Sequence, residues 1–337
     1  MAGPSDDFRL IAEALLGKAE FTSLEISQQS GVDLEQAMRL WQALGFPPVP
    51  PEQRVFTRAD VEILQTVRSL IEQQDPEPAA LMQLTRVIGQ ALSRVSDAQV
   101  TATSERLVRG RGEASHAARN AARAELDDSN PLVERIRMFA PSIERFLAYV
   151  WRRHLLAAIL RLSAVPAAAD RTLSVGFADL VGFTALSEAL DPHELAAMVD
   201  RFESTTYEQI VARGGRVVKM IGDEVMFAVD EAAMAAEIGL ALVEAHAGDS
   251  ALPDVRVGLA HGPMLAWEGD LFGATVNLAS RLVNFARPNT ALVSEEFGQL
   301  LSEQPAFALR HLRAVNLQGI GRVRMWVLRR AARSSEE

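Results

Sequence analysis

Two acidic turns constrain this chain more than any other feature. An apolar run, Leu173 to Phe177, ends in Ala178-Asp179-Leu180-Val181-Gly182-Phe183-Thr184, and 44 residues later Lys219-Met220-Ile221-Gly222-Asp223-Glu224 follows a second apolar run. The first pattern predicts a buried strand feeding a tight turn. The second predicts a hairpin: Arg216 to Met220 rises, Gly222-Asp223 turns, and Val225 to Val229 returns. Either aspartate alone is an ordinary turn former. Together, at adjacent strand tips, two carboxylates offer hard oxygen ligands for divalent cations, with substrate phosphates completing the shell.

Downstream, Asp270-Leu271-Phe272-Gly273-Ala274-Thr275-Val276-Asn277-Leu278-Ala279-Ser280-Arg281 carries a polar pair, Asn277 and Arg281, at i and i+4. On a helix these share one face, one turn apart. Leu278, Ala279 and Leu282 leave the segment otherwise apolar. The catalytic half is predicted as strand 172–178, helices 184–190 and 193–212, hairpin 215–229, helix 231–247, strand 254–261, helix 275–286, strand 290–294, helix 295–303 and strands 312–318 and 322–329. That is an α+β fold, a βαββαβ core with additions and helices on one face.

In order and spacing, the FADLVGFT block, the KMIGDE hairpin and the VNLASRL helix resemble the catalytic domain of the class III nucleotidyl cyclases, from about Arg171 to Leu328. The resemblance implies a ferredoxin-like α+β domain over 171–330. It also implies a lyase that converts ATP to 3′,5′-cyclic AMP and pyrophosphate with two divalent cations, Mg²⁺ or Mn²⁺, on Asp179 and Asp223. Phosphate would bind at the Val181, Gly182, Phe183 and Thr184 turn, where amides open a helix. Arg281 would stabilise the transition state and Asn277 orient the ribose. Lys219 and Asp270 would read the base, a donor to adenine N1 and an acceptor from its 6-amino group, against which guanine presents the reverse pattern. The family builds its sites between two head-to-tail domains, so one chain holding all six residues implies a homodimer. A guanylyl or broad-specificity cyclase is the alternative, as is a nucleotide-sensing DNA-binding regulator.

Residues 1–130 are expected to form an all-helical regulatory domain. Within 8–74, a capped helix from Thr22, a Gly31 turn, a helix over Leu34 to Leu44 and a third started by Phe56-Thr57 resemble a MerR-type helix-turn-helix. Its second helix offers Glu35, Gln36, Arg39, Trp41 and Gln42, with one basic residue, so protein contacts are expected in preference to DNA. The formal net charge of -10 points the same way. The arginines at 109, 111, 119 and 123 read as a solvated helix face. Residues 131–170 read as a connecting helix, or two meeting at Pro141, and a small-residue linker, with Phe139, Phe146, Tyr149 and Trp151 mostly core. His154, beside Arg152 and Arg153, is a candidate pH-responsive residue there. A regulatory ligand is allowed for, and residues 331–337 are expected to be a disordered tail.

With no cysteine, thiolate metal sites and disulfides are excluded. Neither a signal peptide nor an apolar run long enough for a bilayer is present, so a cytoplasmic protein without a membrane span is expected.

Overall fold

A computed structural model describes residues 6–73, 77–113, 131–163, 172–317 and 319–331. The chain divides into two compact units, Met1–Ala164 and Val165–Glu337.

The first unit is helical: α1 (Asp6–Leu16), α2 (Ser23–Ser30), α3 (Leu34–Ala43), α4 (Arg58–Gln73), α5 (Pro78–Glu113) and α6 (Pro131–Ser163). Local chemistry sets the boundaries. Thr22 caps α2 in a capping box with Glu25, Gly31 takes the left-handed φ of 70° that ends it, and Asp33 caps α3. Thr57 and Asp60 cap each other at the start of α4. Ile26, Val32, Ala37, Leu40, Phe56, Val61 and Leu64 form the core, tied by a bridge between Phe21 and Phe56. Trp41 does not face outward as a reading residue. Its ring packs on Phe46 and Phe56, and its Nε1–H donates to Pro47 O at 2.8 Å.

Of the two alternatives for α6, the single helix is the one found, continuing through Pro141. The expectation for its aromatics is corrected: they are not core, since Phe139, Phe146, Tyr149 and Trp151 are all more than half exposed. The helix carries apolar residues around most of its circumference, while only a stripe including Val133, Ile136, Ala140, Ile143 and Leu147 is buried or half-buried. The stretch 164–171, the segment 114–130 with Arg119 and Arg123, and the tail from 332 lie outside the described residues. Among the described residues no helix is long and apolar enough to cross a membrane.

The second unit is built on β1 (Thr172–Leu180), β2 (Arg216–Ile221), β3 (Glu224–Val229), β4 (Val255–Pro263), β7 (Thr290–Ser294), β8 (Phe307–His311) and β11 (Met325–Arg330). These form one sheet in the order β2-β3-β1-β4-β7-β11-β8. The first four strands pair antiparallel, the ferredoxin-like core, and β4 to β7 is the parallel join. Two ribbons stand apart: β5 (Leu265–Trp267) with β6 (Asp270–Phe272), and β9 (Val315–Leu317) with β10 (Gly321–Val323).

Helices cover both faces, not one. The helices α7 (Phe183–Ala189), α8 (Pro192–Val211), α9 (Ala232–Ala247), α10 (Ala274–Phe285) and α11 (Glu295–Leu301) complete the unit. Phe202 and Ile210 of α8, Ile238 and Leu242 of α9 and Phe297 of α11 pack on Leu180, Val225, Phe227, Val257 and Leu259. Opposite them, Val276, Ala279 and Val283 of α10 pack on Val175, Phe177, Met226, Ala228 and Ala260. Alternation along each strand, period two, separates the two sets. Gly258 lets α10 come close, since a Cβ there would lie 2.4 Å from Ala279 O and Val283 N. The C-terminal strands also differ from expectation: the edge strand β8 was unforeseen, and 312–318 holds only the short β9.

Candidate active site

The site lies on the α10 side of the sheet, and strand register puts it there. Asp179 of β1 stands opposite Glu224 of β3 and opposite Arg256 of β4, all three on the face shared with Phe177, Met226 and Ala260. Lys219 joins them because of a β-bulge. Val217 pairs with Phe227 but Lys219 pairs with Met226, so the extra residue moves Lys219 to the other face. Without the bulge, Lys219 would follow Val217 towards α8 and α9.

Asp223 occupies the hairpin turn. Gly222 before it has φ 63°, the left-handed value required at the first central position of a II′ turn. The two acidic tips are joined by the Leu180 N–H, which donates to Asp223 O at 3.1 Å. The Asp179 carboxylate accepts a bond from Arg256 Nη2, a residue the sequence reading did not single out. Burial pushes the Asp179 carboxyl above its ordinary range, Arg256 opposes this, and Asp223 adds to it. Glu224, also unanticipated, is pushed up to about 7, first by burial and then by the charges of Asp179 and Asp223. Three carboxylates facing one guanidinium make a half-buried locus with excess negative charge, which fits a divalent cation. Among the described residues no three carboxylate, imidazole or thiol groups are close enough to hold a metal by themselves. A cation here would complete its shell with further oxygens, from water or from a polyphosphate.

Lys219 and Asp270, 51 residues apart, meet directly: Lys219 Nζ lies 2.5 Å from Asp270 Oδ2, and Leu271 N–H holds Oδ1 at 2.7 Å. Both side chains stay partly accessible, 35% and 27%. Asn277 and Arg281 lie on the exposed side of α10, and neither side chain makes a hydrogen bond or ion pair among the described residues. Thus the structure joins Asp179 with Asp223 and Lys219 with Asp270, and leaves Asn277 and Arg281 facing outward.

Around the first turn, Val181 N–H is already committed to Asp254 O at 2.8 Å, which removes it from the expected phosphate set. Gly182 has φ 76° and starts α7 without a side-chain cap, so the amides of Gly182, Phe183 and Thr184 are the ones left at that end. His154 is exposed on α6, in the first unit.

Comparison with known proteins agrees with this architecture. Residues 165–330 match the adenylate and guanylate cyclase catalytic domain, and residues 2–136 match the adenylate cyclase regulatory domain. The chain is 35% identical to an adenylate cyclase of Streptomyces coelicolor, over 98% of this chain and 92% of that one. It is 37% identical to an adenylate cyclase of Streptomyces griseus, over 88% and 73% of the two chains. A third, from Glutamicibacter nicotianae, is 31% identical over 93% and 79%. The chain belongs to the adenylate and guanylate cyclase family, in the branch that carries an N-terminal adenylate cyclase regulatory domain.

Proposed function

We propose that the protein is a homodimeric adenylyl cyclase that converts ATP to 3′,5′-cyclic AMP and pyrophosphate under control of residues 1–164. The observation that carries this reading is the Lys219–Asp270 pair at 2.5 Å on the same side of the sheet as Asp179 and Asp223. An ammonium donor beside a carboxylate acceptor matches N1 and the 6-amino group of adenine. Asp179 and Asp223 are the residues that would hold two divalent cations, Mg²⁺ or Mn²⁺, together with the triphosphate. When bound, the cations supply Lewis-acid stabilisation of the triphosphate and ease ionisation of the ribose 3′-hydroxyl. Arg281 offers a fixed guanidinium to the charge that develops at the α-phosphate as the 3′-oxygen attacks and pyrophosphate leaves. Asn277, one turn earlier, orients the ribose. The Gly182 to Thr184 amides take phosphate oxygens.

Asn277 and Arg281 project outward without partners, which suits a site completed by a second copy in head-to-tail order. Exposed Ile221, Leu265, Trp267, Phe272 and Phe285 supply apolar surface around the same face. The inward-packed Trp41 and the Glu35–Arg39 pair at 3.3 Å leave α3 poorly equipped to read a duplex, which favours regulation over DNA binding. The absence of a membrane-spanning helix among the described residues is compatible with a cytoplasmic enzyme.

The test is cyclic AMP formation from ATP and Mn²⁺ by the full chain, with GTP as competitor. Production of cyclic AMP with weak inhibition by GTP is expected. Nucleotide binding without turnover would leave a sensor, and equal production of cyclic GMP would leave a broad-specificity enzyme.

A further inference from the structure

We infer that Arg256 is a resident cation that a divalent metal must displace from Asp179, so that the metal position is guarded until a cation competes for it. The inference rests on the proposal that Asp179 and Asp223 are metal ligands. Register places Arg256 directly across from Asp179 on β4, and its Nη2 bonds Asp179 Oδ2, the same carboxylate that the metal needs. The two side chains are only 27% and 16% accessible, so water weakens the pairing little.

Two further features separate a guard from a simple support. Arg256 Nε is buried with no hydrogen-bond partner, so the guanidinium is not fully satisfied where it sits. A fork built only to brace the strand would normally engage both its edges. In addition, Glu224 and Asp223 lie beside Asp179, so the carboxylates outnumber the guanidinium and can retain a metal once Arg256 lets go. The guanidinium both occupies an oxygen of Asp179 and repels a second cation brought to it.

The sign of one effect decides between the two roles. If Arg256 only orients Asp179, removing it loosens the ligand and weakens metal binding. If it guards the position, removing it strengthens metal binding in the absence of nucleotide. The experiment titrates the full chain with Mn²⁺ alone at pH 8, following free Mn²⁺ by electron paramagnetic resonance, with circular dichroism and melting curves to check the fold. Arg256→Gln is expected to lower the Mn²⁺ Kd at least about tenfold, the scale of removing one nearby charge from a half-buried site. Arg256→Lys, which keeps the charge and loses the fork, is expected to lower it by a smaller factor, and it serves if the glutamine variant does not fold. Adding Asp179→Asn to Arg256→Gln is expected to abolish the gain. Unchanged or weaker Mn²⁺ binding in both Arg256 variants, while Asp179→Asn alone still weakens binding, overturns the guard and leaves the metal site standing. Mn²⁺ binding that ignores Asp179→Asn overturns both.

Discussion

Gly258→Val tests how closely the polar edge of α10 depends on the sheet beneath it. A Cβ at position 258 would sit 2.4 Å from Ala279 O and Val283 N and 3.0 Å from Leu282 C. These are backbone atoms, so no side chain can swing aside. Reaching an ordinary contact near 3.4 Å requires α10 to retreat by about 1 Å. Overpacking of this kind costs about 1–3 kcal/mol, and valine's extra methyls push towards the upper end. For a unit of this size that is a fall of about 2–12 °C in Tm. The functional effect should be larger. Asn277 and Arg281 move with α10, and a misplacement of about 1 Å costs on the order of 10²-fold in rate. Asp179 sits on β1 and Asp223 in the turn between β2 and β3, so Mn²⁺ binding should stay near wild type. The assay is kcat for cyclic AMP formation, read beside Mn²⁺ titration and a melting curve at a temperature well below the variant's Tm. A variant with wild-type kcat and a normal melt would refute the reasoning, because α10 would then not need its close seat on β4.

Three other outcomes are expected. Asp270→Asn removes the charge that pairs with Lys219 and, at about 1.5–3 kcal/mol for a charged hydrogen bond, should cut kcat/KM for ATP by about 10- to 100-fold while narrowing the ATP over GTP preference; an unchanged ratio of the two substrates would contradict the base-reading role. His246 is buried, with Nδ1 bonded to Pro253 O at 2.9 Å and Nε2 unpartnered, and burial lowers its pKa below the usual 6.5. The fold therefore favours neutral His246, so its stabilising contribution is complete above pH 6.5 and is lost as pH falls from there towards the folded-state pKa. Melting between pH 7.5 and 5.5 should show Tm declining in wild type and declining less in His246→Asn; parallel curves would sink the assignment. Trp267→Lys puts a charge on the exposed ribbon and should shift sedimentation towards monomer and lower activity together at micromolar protein, whereas loss of activity in an intact dimer would mean the ribbon is not at the interface.

The sequence made the catalytic unit legible where local chemistry and fold agree. Apolar runs ending in Asp-x-x-Gly and Gly-Asp mark strand ends by themselves, and the i, i+4 spacing of Asn277 and Arg281 needs only helix geometry. Helix ends at Thr22, Asp33 and Gly31 follow from capping chemistry in the same way. What stayed hidden depends on pairing. Arg256 lies 77 residues from Asp179 and is an unremarkable strand arginine until β4 aligns with β1. The bulge that turns Lys219 towards the site leaves no mark in Arg216-Val217-Val218-Lys219, which reads equally well without it. The commitment of Val181 N–H to Asp254 O is likewise a tertiary contact. The aromatics of α6 misled for the opposite reason. Their spacing resembles a core-facing helix, yet a helical pattern specifies an apolar face without specifying a partner within the same chain.

The most direct measurement mixes two inactive variants, Asp179→Asn and Arg281→Ala. Each alone lacks one half of every site. If the sites form between two copies with Asp179 and Asp223 facing Arg281 and Asn277 of the other, a mixed dimer regains one intact site. Equal mixing after subunit exchange should then restore cyclic AMP formation to about one quarter of wild type, since half the dimers are mixed and each has one of two sites. Activity that stays at background in a mixture shown to contain mixed dimers would contradict the shared-site account.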